Sequence, residues 1–310
     1  MQEGAGKRAL ITGLAGFTGY YMAQELAAAG YRVFGTAMPA EVAGAAASCD
    51  PADVFAVDLC DRAAVHAMIE QVQPDVVVHL AGIAFVAHAN VDLMYQVNIV
   101  ASRNLLEALA AAPHRPSAVL LASSANIYGN ADVPVIDEQV APAPANDYAV
   151  SKLAMEYMAR LWMDRLPIVL ARPFNYTGVG QADNFLLPKI VSHFRRGARE
   201  IELGNLAIAR DFSDVRSVVR SYRGLLARAP GAAGTDPAFN VCSGRSASLH
   251  SVIGMMEEIA GYKMAVKVNP AFVRSNDVMT LTGSRAKLDQ AIGPVEQVPL
   301  AATLAWMYRA

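Results

Sequence analysis

Residues 8–19 read RALITGLAGFTG, and this stretch decides the fold class of the 310-residue chain. Arg8–Thr12 has the short apolar pattern of a buried strand, and glycines follow it at positions 13, 16 and 19. Apolar residues then recur at helical spacing over residues 16–29, and a glycine ends the run. A strand that passes through a glycine-rich turn into a helix is typical of the first unit of a parallel α/β sheet.

The same alternation continues through the first half of the chain. Further strands are predicted at residues 31–36, 54–57, 75–80 and 117–122, with helices at 63–71 and 92–112. The run DVVVHL at 75–80 is almost wholly apolar, as expected for a strand with helices on both of its faces. Repeated strand–helix units imply right-handed crossovers, so the predicted fold class is α/β, a doubly wound parallel sheet of the Rossmann type.

The pattern changes near residue 172. Prolines and glycines divide the rest of the chain into shorter pieces, with helices predicted at 188–196, 215–229 and 248–260. We therefore expect a dinucleotide-binding Rossmann domain over residues 1–171. Residues 172–310 should form mainly a smaller α+β lobe that binds the substrate, with some segments returning to the Rossmann sheet.

Composition and charge exclude several classes of protein. The 26 basic and 28 acidic side chains give a net charge of −2, whereas nucleic-acid binders usually carry a basic face. The three cysteines are odd in number and widely spaced, which predicts neither a disulfide framework nor a metal site. The N-terminus shows no charged-then-apolar leader, and every apolar run is too short for a membrane span. We expect a cytoplasmic protein that binds neither nucleic acid nor membrane.

The glycine triplet has the features of a phosphate-binding turn. Gly13 allows a tight turn, Gly16 lets the backbone approach a pyrophosphate, and Gly19 lets the helix pack closely on the strand. The free N–H groups at the start of the helix then face the anion. The predicted cofactor-binding residues of this loop are Gly13, Gly16, Phe17, Thr18 and Gly19.

The end of the second strand should distinguish NAD from NADP. An NAD site usually has a carboxylate there for the ribose 2′-hydroxyl, and an NADP site has an arginine. This chain has GTAMP at residues 35–39, which supplies neither group. Because no carboxylate in that segment repels a 2′-phosphate, the sequence favours NADP(H) slightly over NAD(H).

Tyr148, Lys152 and Ser124 form the predicted catalytic set. Tyr148 and Lys152 are four residues apart and share one helix face. A free tyrosine titrates at about pH 10, and a nearby ammonium should lower that pKa toward neutrality. Ser124 lies just past the carboxyl end of a predicted parallel strand, where ligands bind. Ser124 should hold a carbonyl or alcohol while Tyr148 exchanges its proton.

These three residues and the GxxGxxG spacing together resemble the extended short-chain dehydrogenase/reductase family. The resemblance implies further cofactor contacts at Asp58, Leu59, Leu80, Ala81, Gly82 and Asn98, and also at Tyr148 and Lys152, with Lys152 holding the nicotinamide ribose. It also implies a homodimer formed through two long helices that begin near Asp92 and Tyr148.

Segments of the second half are similar to GDP-mannose dehydratases and GDP-4-keto-6-deoxymannose reductases within that family. They are ARPFNYTGVGQ at 171–181, RDFSDV at 210–215 and NVCSG at 240–244. The resemblance implies a nucleotide-sugar substrate, held by Asn126, Asn175, Arg210, Arg274 and Asp277. Arginine suits this task because its planar guanidinium matches phosphate oxygens.

The residues after Ser124 bear on the reaction. Sugar-nucleotide 4,6-dehydratases of this family have acidic residues there, whereas this chain has Ala125 and Asn126, which do not transfer protons at neutral pH. The expected activity is NAD(P)H-dependent reduction at C4 of an NDP-4-keto-6-deoxyhexose, GDP-linked by preference, with Tyr148 as proton donor. A 4-epimerase that uses the same three residues and a non-catalytic, cofactor-sensing protein are the alternatives.

Overall fold

The computed structural model describes residues 2–45, 48–84, 90–228, 236–270 and 280–310. Its strands are β1 (Arg8–Thr12), β2 (Arg32–Ala37), β3 (Val54–Ala56), β4 (Val76–His79), β5 (Ala118–Ala122), β6 (Ile168–Pro173), β7 (Asn175–Thr177), β8 (Glu200–Leu203), β9 (Ala209–Asp214), β10 (Ala238–Val241), β11 (Ser246–Ser248), β12 (Ala265–Val268) and β13 (Thr280–Leu281). Seven of them form one sheet in the order β10-β6-β5-β4-β1-β2-β3, and every neighbouring pair is parallel. The predicted Rossmann-type parallel sheet is confirmed.

The helices cover both faces of this sheet or build the second lobe. They are α1 (Phe17–Ala28), α2 (Val42–Ala45), α3 (Arg62–Val72), α4 (Val91–Tyr95), α5 (Ser102–Ala111), α6 (Asp147–Arg160), α7 (Leu186–Arg195), α8 (Val215–Arg228), α9 (Leu249–Ala260), α10 (Ala286–Ile292) and α11 (Leu300–Arg309). A π-helical segment, Gln96–Ala101, joins α4 to α5, so the single helix predicted over 92–112 contains a change of helical pitch. Among the described residues, every helix is too short or too polar to cross a lipid bilayer.

Two hydrophobic layers hold the helices on the large sheet. Helices α1 and α8 pack on one face, and α3, α5 and α6 pack on the other. Successive residues of β4 point into opposite layers. Val77 packs in the layer with α3, α5 and α6, Val78 packs in the layer with α1 and α8, and both are fully buried. Burying an aliphatic side chain of this size contributes about 1.5–3 kcal/mol. A strand covered on both faces must therefore be apolar at successive positions.

The second half of the chain builds a smaller lobe and also returns to the large sheet. Strands β7, β9, β11 and β13 form a four-stranded sheet, β8 pairs with β12, and α7, α9 and α11 enclose a separate hydrophobic core. In contrast, β10 adds to the large sheet beside β6, and α8 packs beneath it. The chain therefore passes from the large sheet into the lobe directly after β6, at the carboxyl ends of the central strands.

Candidate active site

The loop between β1 and α1 is a cradle of bare backbone. Gly13 has a φ of +72°, and a Cβ at this position would lie 2.9 Å from the backbone of Ala81. A Cβ at Gly19 would lie 2.3 Å from the carbonyl oxygen of Gly13. Within the described residues, no side chain caps the start of α1, so the N–H groups of its first turn can face an anion. The residues present therefore fit the pyrophosphate of a dinucleotide.

Two cavities meet at this cradle, and Gly13, Gly16, Leu80 and Gly82 line both. The first, here called the tyrosine cavity, has a volume of about 470 Å³. The second, the β2 cavity, has a volume of about 480 Å³ and lies at the carboxyl ends of β2 and β3. Both volumes are in the range of roughly 300–1,000 Å³ that small-molecule sites occupy. A ligand that follows the cradle would extend into both cavities.

The tyrosine cavity contains the predicted catalytic residues. Tyr148 and Lys152 lie one turn apart on α6 and line the cavity together with Ser124. Ser124 Oγ accepts the backbone N–H of Asn126 at 3.1 Å, and its hydroxyl acts to lower the pKa of the neighbouring Tyr148 phenol. Lys152 Nζ donates to the carbonyl oxygen of Ala122, the last residue of β5, at 2.8 Å. Helix α6 thus brings a phenol and an ammonium group to the end of the central strand.

The protonation of this pair differs from the sequence prediction. Burial raises the pKa of Tyr148 to about 12, although the Ser124 hydroxyl acts to lower it. Burial also lowers the pKa of Lys152 to about 8, against the opposing effect of Glu156. The prediction that Lys152 lowers the tyrosine pKa is wrong for this structure, because desolvation dominates and the ammonium binds a carbonyl oxygen instead. At neutral pH, Tyr148 is therefore a phenol with a proton to donate.

A buried ion pair fixes α6 over the sheet. The Arg172 guanidinium, at the end of β6, donates to both carboxylate oxygens of Glu156, at 2.9 and 2.7 Å. It also donates to the hydroxyl of Tyr128, in the turn that follows Ser124. Arg172 and Glu156 are 4% and 1% exposed. Removing one partner would leave a buried charge unpaired, at a cost of about 3–5 kcal/mol.

Asn98 lies directly behind the wall that the two cavities share. It belongs to the π-helical segment, and its side chain lines neither cavity. Its Oδ1 accepts the N–H of Ile83 at 2.9 Å, and its Nδ2 donates to Ser151 Oγ on α6 at 2.9 Å. Asn98 thus ties the loop after β4 to α6, which positions Gly82 and Lys152 at the cavity wall. Its direct contact with a cofactor stays a prediction.

The other predicted cofactor residues border the cavities. Phe17, Thr18 and Gly19 line the tyrosine cavity, and Asp58, Leu59 and Ala81 line the β2 cavity. Asp58 Oδ1 accepts the N–H of Cys60 at 2.8 Å, which holds its carboxylate at the turn after β3. The cradle and both cavities thus bring together segments that lie up to 172 residues apart in the sequence, from Gly13 to Phe185.

The predicted substrate residues are only partly brought together. Asn126 and Asn175 line the tyrosine cavity. Arg210 is half-buried on β9, where its Nη1 donates to the Ala209 carbonyl, and it lines neither cavity. Its contact with the nucleotide stays a prediction. Arg274 and Asp277 lie outside the described residues.

Two residues of the tyrosine cavity were missed from the sequence. Tyr176, on β7, forms a hydrogen bond of 2.8 Å with Thr18 of the cradle, and its ring stacks on that of Phe17 at 6.1 Å between centroids. Ser123 was not among the predicted site residues, yet its hydroxyl is buried in the cavity wall with no partner among the described residues. Tyr176 could have been identified from the sequence, because it follows Asn175 in the segment ARPFNYTGVGQ at 171–181. Ser123 offered no signal beyond its place next to Ser124.

The described residues of the site present hydroxyl, ammonium and amide groups. No group of three or more His, Cys, Asp or Glu side chains that could hold a metal ion occurs among those residues. What the cavity offers is a buried phenol, a serine hydroxyl and an ammonium group beside an anion-binding cradle. Such a set can transfer a proton to or from an oxygen atom of a ligand.

Comparisons with known proteins agree with this geometry. A family model described as GDP-mannose 4,6 dehydratase matches residues 10–307. GDP-6-deoxy-D-talose 4-dehydrogenase of Aggregatibacter actinomycetemcomitans is 33% identical, over 76% of this chain and 79% of its own length. GDP-6-deoxy-D-mannose reductase of Pseudomonas aeruginosa is 35% identical, over 71% of this chain and 74% of its own length.

Solved structures share the whole architecture. A candidate epimerase from Burkholderia cenocepacia J2315 is 54% identical, with a TM-score of 0.92 over 98% of both chains. RMD from Pseudomonas aeruginosa, solved in complex with NADPH, is 29% identical, with a TM-score of 0.82 over 98% of this chain and 100% of that one. The likeness therefore spans both the large sheet and the lobe.

Proposed function

Because the chain belongs to the GDP-mannose 4,6-dehydratase family of nucleotide-sugar short-chain dehydrogenases/reductases, we propose that it is an NAD(P)H-dependent reductase of an NDP-4-keto-6-deoxyhexose, GDP-linked by preference. The observation that carries this proposal is that Tyr148, Ser124 and Lys152 line one cavity beside the glycine cradle, where burial raises the pKa of Tyr148 to about 12 and so keeps its proton in place at neutral pH. Reduction of a ketone needs such a donor, since the forming alkoxide must receive a proton.

In the proposed mechanism, five polar residues of the tyrosine cavity have separate tasks. The glycine cradle would hold the dinucleotide, whose nicotinamide would supply the hydride for C4 of the sugar. Ser124 donates a hydrogen bond to the C4 oxygen, and Tyr148 gives its proton to the same oxygen as negative charge develops there. Lys152 contributes a positive charge at the cavity wall, which favours that transfer. Asn126 and Asn175 present side-chain amides toward the sugar nucleotide.

The cavity supports reduction rather than dehydration, despite the name of the family model. Eliminating water from a sugar needs an acid and a base at neighbouring carbons. None of the described residues that line the tyrosine cavity is an aspartate, glutamate, histidine or cysteine. After Ser124, Ala125 packs in a hydrophobic cluster, and Asn126 cannot transfer a proton. We therefore expect no water loss from a GDP-hexose.

A 4-epimerase is the second candidate, because the Burkholderia cenocepacia relative carries that description. An epimerase must first remove a proton from the C4 alcohol, which requires the tyrosine as a base. The reductase uses the same proton transfer in the opposite direction, so the pKa of Tyr148 does not separate the two reactions. The relatives at 33% and 35% identity are a GDP-6-deoxy-D-talose 4-dehydrogenase and a GDP-6-deoxy-D-mannose reductase, which favours the reductase.

Incubation with defined sugar nucleotides tests this proposal. The protein is mixed with NADH or NADPH and a panel of GDP-, dTDP- and UDP-4-keto-6-deoxyhexoses, and loss of the reduced nicotinamide absorbance is followed. We expect stoichiometric consumption, fastest with a GDP-linked ketone. Interconversion of 4-epimers without added reduced cofactor would instead support the epimerase. Binding of cofactor with no turnover on any sugar would favour the cofactor-sensing alternative.

A homodimer is part of the proposal. Large apolar side chains are exposed along α6 and at its C-cap, with Tyr157 63% and Leu161 79% exposed, and Val100 on the neighbouring π-helical segment is 46% exposed. A second copy of this helix pair would cover them. We expect a dimer in light scattering and a monomer for the double variant Leu161→Glu with Tyr157→Glu.

All three cysteines are free, which suits a reducing compartment, so we also propose a cytoplasmic location.

A further inference from the structure

The β2 cavity determines which dinucleotide fits the cradle. A dinucleotide whose pyrophosphate lies on the glycine turn places its adenosine ribose near the end of the second strand. In this structure, Thr36 and Ala37 of β2 line the β2 cavity, together with Asp58 from the turn after β3. Residues that border this cavity can therefore reach the ribose 2′-position, where NAD carries a hydroxyl and NADP a phosphate.

The chain supplies a carboxylate here from beyond the end of β2. Met38 is extended, and residues Pro39–Glu41 then form a single 3₁₀ turn, in which the Glu41 N–H donates to the Met38 carbonyl at 2.8 Å. The turn folds the chain back, so that Glu41 lines the β2 cavity beside Ala37. The sequence segment that ends at Pro39 showed no carboxylate because this one comes two residues later.

The charges in the cavity all have one sign. Among the described residues that line it, the charged side chains are Glu41 and Asp58, and none is a lysine, arginine or histidine. Arg32 begins β2 at the opposite end of the strand and pairs with Asp53 at 2.8 Å. A phosphate monoester carries about two negative charges at neutral pH. In this cavity it would meet carboxylates and no described cation, whereas a ribose hydroxyl could donate to a carboxylate oxygen.

We propose that Glu41 selects NAD(H) over NADP(H). The inference rests on the proposed function, in that it takes the cradle to hold a nicotinamide dinucleotide. It reverses the slight preference for NADP(H) expected from residues 35–39, since the cavity holds the carboxylate that those residues lack. Glu41 accepts a hydrogen bond from the ribose 2′-hydroxyl of NAD and repels the 2′-phosphate of NADP.

Binding measurements on the intact protein test this inference without any sugar substrate. Dissociation constants of NADH and NADPH are obtained from nicotinamide fluorescence for the wild type, Glu41→Gln and Glu41→Arg. Glu70→Arg, on the exposed side of α3 and outside the cavity lining, is the matched control for charge reversal. Thermal unfolding checks that each variant folds.

We expect the wild type to bind NADH at least about tenfold more tightly than NADPH. Glu41→Gln should bring the two constants closer, Glu41→Arg should invert their order, and Glu70→Arg should leave the ratio as in the wild type. Because Glu41 is exposed, raising the salt concentration should also reduce the ratio through screening.

The outcomes separate this inference from the proposed function. Equal or tighter binding of NADPH by the wild type would overturn the selection by Glu41, as would a ratio that Glu41→Arg shifts no more than Glu70→Arg. If neither dinucleotide bound, both proposals would fall together. Selective NADH binding without turnover on any ketosugar would overturn the reductase alone and support Glu41 as the selecting residue.

Discussion

The two cavities share one glycine cradle but are built in different ways. The tyrosine cavity collects buried hydroxyl and ammonium groups from α6, from the end of β5 and from β7, and its titratable groups have strongly shifted pKa values. The β2 cavity is formed by residues from the first third of the chain alone, between Gly13 and Ala101, and its charged Glu41 is exposed to water. The proposed proton transfer therefore takes place where solvent is excluded. The proposed choice between NADH and NADPH is made where water and salt screen charges. Changes in the first cavity should therefore have the larger effects.

Removal of the Tyr148 hydroxyl tests the tyrosine cavity alone. Tyr148→Phe leaves the ring on α6 but removes the proton donor, so we expect kcat for ketosugar reduction to fall by about 10³-fold. NADH affinity should stay within about twofold of the wild type, because the cradle is untouched. The measurements are steady-state kinetics and a fluorescence titration.

The control for this variant is on the same helix. Tyr157→Phe changes an exposed ring on α6, and its turnover should match the wild type. Full activity in Tyr148→Phe would remove the tyrosine from the reaction. A large loss of NADH affinity would mean that the two cavities do not act separately.

A Cβ in the cradle should damage both cavities at once. In Gly19→Ala the new methyl group would lie 2.3 Å from the Gly13 carbonyl oxygen and 2.8 Å from Leu14 Cα, so the loop must open. We expect NADH affinity to fall by roughly 100-fold, since several backbone donors lose their alignment with the pyrophosphate. Calorimetry gives the binding constant.

Gly254→Ala, in helix α9, is the matched control, because a Cβ there meets nothing within 4 Å. Its NADH affinity should equal that of the wild type. Unchanged affinity in Gly19→Ala would show that the dinucleotide does not use this loop.

The pH dependence of kcat/KM for reduction tests the contribution of the buried Lys152 ammonium group. The pKa of Lys152 is about 8, below its ordinary value, so the group is charged below pH 8 and neutral above it. Tyr148 keeps its proton through this range because its pKa is about 12. We therefore expect kcat/KM to be level below about pH 8 and to fall about tenfold per pH unit above it.

Two variants separate charge from shape at position 152. Lys152→Arg stays charged above pH 8, so its kcat/KM should remain level there, at a lower absolute rate. Lys152→Met should be slow at every pH, with a flat profile. A wild-type profile that stays level to pH 10 would mean that the lysine charge does not contribute to the reaction.

The fold was more predictable from the sequence than the detail of either cavity. Strand β1 was predicted without error, and the predicted ends of β2 and β4 lie within one residue of the observed ends, because apolar runs between glycines mark buried parallel strands. The π-helical segment was not predicted, since one extra residue in a turn hardly changes the helical periodicity. The raised pKa of Tyr148 was not predicted either, because a sequence shows which charges are near but not how completely a group is buried.

The residues missed in the cavities share one cause. Tyr176 reaches Thr18 across 158 residues, through the exit of the chain from β6 into the lobe. Glu41 enters the β2 cavity only because a 3₁₀ turn folds it back. Both positions depend on how the chain turns after a strand of the large sheet, after β6 for Tyr176 and after β2 for Glu41, and such turns carry no periodic pattern from which the path can be derived.

The smallest expected effect concerns the hydrogen bond that joins the cradle to the lobe. Tyr176→Phe keeps the ring that stacks on Phe17 and removes only the hydroxyl bound to Thr18, and Thr18→Val removes the same bond from the other side. One such bond contributes about 0.5–1.5 kcal/mol, so each variant should weaken NADH binding by about two- to tenfold. If the two hydroxyl groups act only through this bond, the double variant should lose no more NADH affinity than either single variant. Tyr262→Phe, whose hydroxyl bonds Phe194 and Ala198 carbonyls within the lobe, should leave NADH binding unchanged. Additive losses in the double variant would show that Thr18 and Tyr176 contact the dinucleotide separately, and the two cavities would then be joined by the bound cofactor instead of by the protein.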